Sequence, residues 1–254
     1  MNVRRPSVFA VLLTLAGMAA FVRLGVWQLH RASEKEQLLA RFAAATAQPV
    51  HDFASVADGV GATAFPHLSV HGRYLAEREY VLDDQTRHGR PGVVVYAPFL
   101  PCRGESCTAG IGRVLLLGLG FVARNGVARQ LPPLPPLPRG EIDVRGLYMP
   151  PPGSGLRLGG NALARQTEWP KTTTFIDLAA IDHDLGRRLY PRVLLLDPDP
   201  ATPYLRSWTP AAMPPARHRA YAFQWFAFAV AALAIFLVLH RVREDDKENP
   251  DDAT

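Results

Sequence analysis

Two long apolar runs near the ends of the chain constrain its fold more than any other feature. The first, "PSVFAVLLTLAGMAAFVRLGVWQL", carries a single charge, Arg23. At about 1.5 Å per residue, Val8 to Gln28 spans roughly 31 Å, the thickness of a hydrocarbon core. The second, Tyr221 to Leu239, is of similar length and carries no charge. Arg4 and Arg5 would suit the basic start of a cleaved signal peptide. However, Trp27 and Gln28 stand where small residues would mark a cleavage site, so a retained anchor is expected. Basic residues Arg4 and Arg5 precede the first run, and Arg241 and Arg243 follow the second. The positive-inside tendency then puts both ends in the cytoplasm.

The expected plan is a short cytoplasmic tail (1–7), a transmembrane helix (8–28), a large external domain (29–219), a second transmembrane helix (220–240) and an acidic tail (241–254). A net charge of +5 does not signal nucleic acid, because the arginines are dispersed and not interleaved with aromatics. "EDDKENPDDAT" reads as a solvated end.

Just beyond the first run, Ser33 and Glu36 have capping-box spacing, and Leu38, Leu39, Phe42 and Ala45 recur at helical spacing, which predicts a short amphipathic helix there. After it come "HLSVHGRYL", "EYVLDD", "GVVVYAPFL", "GRVLLLGLGFVAR", "EIDVRGLYM", "TTTFIDL" and "PRVLLLD". These are short β-branched or aromatic runs bounded by Gly, Pro and Asp, the spacing of a small β-barrel or sandwich. "LAAIDHDLGRRL" predicts one helix against that sheet, with Asp182, His183 and Asp184 as a solvated turn. "LPPLPPLPRG" reads as a stiff polyproline spacer between two strands. The fold class is therefore two transmembrane helices flanking a β-rich, barrel-like α+β domain.

The two cysteines, Cys102 and Cys107, lie in a loop between strand-like runs. In an oxidising compartment they read as a disulfide, contributing about 2 kcal/mol by loop closure. A redox or copper-binding pair is the rival reading, although C-x4-C is not C-x-x-C. His67 and His71 share one face of a strand-like run and could hold a metal only with a third ligand. No G-x-S-x-G, H-E-x-x-H or G-x-G-x-x-G order appears, and no catalytic constellation is evident, so an enzyme is not expected.

The membrane ends are richer. The first run closes on "GVWQLHR" and the second opens on "HRAYAFQW". Antiparallel spans bring Trp27–Gln28 and Gln224–Trp225 to one depth, the outer interface. Aromatic belt residues are ordinary there, but two glutamines need hydrogen-bond partners. His218, Tyr221 and Trp225 share a helix face by i, i+3, i+7 spacing. A neutral imidazole is the form that ligates metals, and Arg217 and Arg219 suit bidentate pairing with carboxylates. A flat amphiphile carrying an iron and two propionates would fit such a surface. On residue types alone, interfacial anchors remain the plainer reading.

G-x-W-Q-x-x-R (Gly25, Trp27, Gln28, Arg31) and H-x-x-Y-A-x-Q-W-F (His218 to Phe226) together resemble the two terminal signatures of the Surfeit-locus-protein-1 family. "VHGRY" and "VRGLY" resemble its V-x-G-x-Y strand segments. The resemblance implies an assembly factor for haem-copper cytochrome c oxidase in a bacterial inner membrane, with the main domain periplasmic. It implies binding of haem a and its delivery to, or stabilisation of, the large oxidase subunit, alongside haem-synthesis or other assembly proteins. His218 would be the iron ligand. Arg217, Arg219 and Arg31 would hold propionates, Tyr221, Trp225 and Trp27 would border the porphyrin, and Gln28 and Gln224 would orient the helices. Two rivals remain: a scaffold that holds oxidase subunits without haem, and a thiol or copper carrier working through Cys102 and Cys107.

Overall fold

In the computed structural model, residues 7–56, 59, 61, 64–75, 77–102, 112–124, 130–152, 162–208 and 213–240 are described. They fall into two compact units, one of residues 1–38 with 212–254 and the other of residues 39–211.

The first unit is a helix pair. Helix α1 runs Val8–Thr46 and opens on Ser7, whose hydroxyl accepts from the Ala10 N–H at 3.1 Å. That bond satisfies one of the orphan amides of the first turn. The residues expected to form a short helix from Ser33 are helical, but no new helix starts there, because α1 is continuous through Ser33. No proline interrupts residues 28–36, and Ala, Leu, Glu, Lys and Gln propagate a helix well. An established helix therefore overrides a local capping signal. The pairing helix, α4 (Pro215–Leu239), opens with proline in its first turn, where the missing N–H costs nothing. Both helices are long and apolar enough to cross a membrane. Leu12 and Leu13 of α1, and Phe223, Val230 and Val238 of α4, are exposed, as lipid-facing side chains would be.

The second unit is built on eight strands. They are β1 (His51–Asp52), β2 (His67–Tyr74), β3 (Tyr80–Arg87), β4 (Arg90–Pro101), β5 (Val114–Ala123), β6 (Glu141–Met149), β7 (Lys171–Thr173) and β8 (Leu189–Leu196). The order β2-β6-β8-β5-β4 closes through a β4–β2 pairing into a five-stranded barrel, with β1, β3 and β7 as extensions. Closure depends on β4 changing partners. Its early residues pair with β3, while Phe99, Leu100 and Pro101 pair with Tyr74, Arg73 and Gly72 of β2. A register shift between β4 and β5 at Val95/Tyr96, opposite Gly120 at φ +138°, is a bulge that bends the wall.

The runs "VVVY", "VLLLGLG" and "VLLL" are continuously apolar because their strands are buried on both faces. Val93, Val95, Leu115, Leu117, Leu194 and Leu196 fill one core. Their alternates Val94, Tyr96, Leu116, Val193 and Leu195 fill a second. A one-turn helix α2 (Phe53–Val56) follows β1 and buries Phe53 in the first core, and helix α3 (Leu178–Leu185) covers the second core through Ile181 and Leu185. Asp177 caps it by accepting from the Ala179 and Ala180 amides, and Gly186 ends it in the left-handed region at φ 62°.

Two expectations change. Asp182, His183 and Asp184 lie in α3, and although His183 is exposed, the two aspartates are engaged by protein groups. Asp182 accepts from the Leu189 amide at 2.5 Å. The Asp184 side chain is only 8% exposed, accepting from Lys171 Nζ at 2.6 Å and the Tyr80 hydroxyl at 2.8 Å. The polyproline stretch is also more than a spacer between β5 and β6. Leu131, Leu134 and Leu137 pack on the first core, since three residues per turn put every third side chain on one face.

Candidate functional site

The sequence-predicted residues gather at the top of the helix pair. Small residues let the backbones approach: Ala32 on α1, and Ala222 and Ala229 on α4, are buried. A Cβ on Gly25 would lie 2.6 Å from the Phe226 ring, so only glycine admits that ring without a shift. Phe21 stacks on Trp225 at 5.9 Å, and both meet Phe228 at 5.8 Å. Such an aromatic cluster fixes the register of two helices that share no hydrophobic driving force in lipid.

One turn above Gly25, Gln28 meets His218. The Gln28 Oε1 atom lies 2.7 Å from His218 Nδ1, while His218 Nε2 is buried without a hydrogen-bond partner. Higher still, Arg219 pairs with Glu36. Arg31 pairs with Glu34 at 2.8 Å and lies 5.7 Å over the Trp27 ring. That hydrogen bond holds the Glu34 carboxyl below its ordinary range. The pair is about half exposed on both sides, so it exchanges readily for another carboxylate. Arg217, Tyr221 and Gln224 are exposed.

The arrangement thus brings His218 to Gln28 and Arg31 over Trp27, and gives two other predicted residues partners that the sequence did not suggest. Trp225 is engaged by Phe21 and Phe228, and Arg219 by Glu36. Glu36 was the residue that sequence reasoning missed, because its spacing from Ser33 gave it another explanation.

The other candidates lie on the barrel. His67 Nε2 is 2.7 Å from Asp197 Oδ2, and His71 is paired with Asp143 at 3.0 Å and Glu141 at 3.5 Å. The hydrogen bond to Asp143 raises the His71 pKa above the usual histidine value. Among the described residues no group of three His, Cys, Asp or Glu side chains is placed to hold a metal ion. Cys102 is disulfide-bonded, and Cys107 lies outside the described residues. A cleft of about 490 Å³ opens between the polyproline segment and the loop after β8, lined by Tyr74, Asp143, Arg145, Tyr204 and Arg206. The Tyr204 hydroxyl donates to the Pro135 carbonyl at 3.2 Å, and burial pushes the Tyr74 phenol up to about 12.

Two helices long and apolar enough to cross a membrane, one on each side of the barrel in sequence, and a closed five-stranded barrel with added strands define an α+β class with candidate membrane spans. The model of the SURF1 family matches residues 15–230, most of both helices and all of the barrel. The chain belongs to the SURF1 family, an assembly-factor family associated with cytochrome c oxidase assembly. Among curated proteins no relative was found.

Proposed function

We propose that this chain binds haem a at the outer end of its helix pair and supports loading of the large oxidase subunit. The domain of residues 39–211 would face the periplasm and both termini the cytoplasm, as the flanking arginines Arg4, Arg5, Arg241 and Arg243 suggest. The observation that carries the proposal is the buried, unpartnered Nε2 of His218. A buried polar atom without a partner costs free energy unless something completes it. Here the ring's other nitrogen is already committed to Gln28, which is how metal-ligating histidines are usually oriented.

Haem would supply the acceptor for that lone pair and two carboxylates at the membrane surface. Arg217 is exposed and Arg31 is held only by an exposed ion pair, so these two suit the propionates better than Arg219. Tyr221 and Trp27, both exposed in part, offer apolar flanks, and Trp225 serves by holding α4 in register. Gln224 is exposed on α4 and is free to face a polar edge of the ligand or a partner helix.

The test is an absorption spectrum of the chain purified in detergent from a host making haem a, beside His218→Ala prepared identically. The wild type is expected to carry a haem a band that the variant lacks. If neither carries haem, a scaffold that grips oxidase subunits replaces this reading, and the barrel cleft becomes the place to look for the partner.

A further inference from the structure

We infer that Gln28 is a positioning residue that fixes the tautomer of His218, so that the ligand nitrogen is made ready only when the two helices are paired. The inference rests on the proposed role of His218, but its geometry stands without any bound group. An amide oxygen accepts and cannot donate. The Gln28 Oε1 atom, 2.7 Å from His218 Nδ1, therefore requires the proton on Nδ1, and a neutral ring has only one. The lone pair is left on Nε2, the atom buried without a partner.

The opposite tautomer is penalised twice. It would bury an Nε2–H with no acceptor and turn the Nδ1 lone pair toward the amide oxygen. Turning the Gln28 amide over would relieve the second conflict but not the first. Orphaned buried N–H groups are rarer in proteins than under-satisfied acceptors. Free histidine in water keeps its proton mostly on Nε2, so the protein reverses the ordinary preference.

Gln28 and His218 stand 190 residues apart in sequence, on different helices. Their contact is bracketed by the Gly25–Phe226 approach below and the Arg219–Glu36 pair above. Loss of helix pairing would remove the acceptor and return the ring to its free preference. Binding competence is thereby coupled to the assembled state of the membrane unit.

The experiment is isotope-edited NMR of the imidazole nitrogens in the full chain, solubilised in detergent without haem. The pH is set near 8, well above the ordinary histidine range. Wild type, Gln28→Leu and Gln28→Glu are compared. Wild-type His218 is expected to be protonated on Nδ1. The Leu variant should shift the proton to Nε2, and the Glu variant, whose carboxylate still accepts, should restore Nδ1. Retention of the Phe21–Trp225 contact in each variant's spectrum shows that the helices remain paired. A wild-type ring protonated on Nε2, or a Leu variant indistinguishable from wild type, overturns the inference. With haem present, the Leu variant should bind about 10–100-fold more weakly. A wild-type ring protonated on Nδ1 in a protein that binds no haem would sink the haem reading and leave the tautomer assignment standing.

Discussion

Replacing Gly146 with alanine is expected to lower the melting temperature of the barrel by about 6 °C or more. A Cβ at this position would lie 2.1 Å from the Leu195 carbonyl oxygen and 3.0 Å from Leu196 Cα. Both are backbone atoms of β8, which pairs with β6 through Gly146 and Leu196, so no side chain can swing aside. Gly72 makes the same close approach to Leu100 O at 2.3 Å, at the seam where β2 meets β4 and closes the barrel. Overpacking a core commonly costs about 1–3 kcal/mol, and a rigid backbone neighbour puts this case at the top of that range or beyond. For a domain of this size each kcal/mol moves the midpoint by about 2–4 °C. Gly59, with open space around it, is the control and should tolerate alanine. Thermal unfolding of the full chain in detergent, followed by near-ultraviolet circular dichroism, reads the difference. A Gly146→Ala midpoint equal to that of the control would refute the close-approach account.

The second large effect is expected at Lys171. Its ammonium is buried against Asp184 and stands 4.8 Å over the Trp169 ring, and Asp184 also accepts from Tyr80. Burial, reinforced by that hydrogen bond, pushes the Tyr80 phenol up, so the hydroxyl stays a donor at any physiological pH. The cluster ties β7, β3 and α3 together outside the barrel ring. Lys171→Ala leaves a carboxylate that is 8% exposed without its counter-charge, and removing one member of a buried pair costs about 3–5 kcal/mol. The double variant Lys171→Met, Asp184→Leu removes both charges and should recover most of the loss, since an apolar replacement is often neutral. Urea unfolding curves of the three proteins decide the matter. A single variant within about 1 kcal/mol of wild type would show that the pair is not needed where it sits.

The two contacts that fix the barrel and its flank differ in how visible they were in the chain. Gly72 and Gly146 sit in "VHGRY" and "VRGLY", runs whose strand character is plain from their β-branched and aromatic residues. The reason for glycine was not plain, because it depends on which backbone lies across the sheet. The two membrane-length helices and α3 were legible because apolar continuity, an Asp177 cap and a Gly186 terminus are local signals. The continuity of α1 through Ser33 was not, since capping and mid-helix positions use overlapping residues and the helix already running from Val8 overrode the local cap. The pairing of Asp184 with Lys171 and Tyr80, and the docking of Leu131, Leu134 and Leu137, were hidden because their partners are distant in sequence. At the candidate site, residue types and depth could be read from "GVWQLHR" and "HRAYAFQW". The pairing of Gln28 with His218, and the diversion of Trp225 and Arg219 to other partners, depend on helix rotation, which sequence spacing leaves open.

The central claim is that His218 presents a ligand nitrogen at the outer membrane interface. Its most direct test is an equilibrium titration of the haem-free chain in detergent with haem a, followed by absorption and by the iron–histidine vibration, for wild type and His218→Ala. Wild type is expected to saturate with a histidine-ligated spectrum, and the variant to bind at least about tenfold more weakly and without that vibration. Equal binding by the two proteins, or no binding by either, would contradict the account.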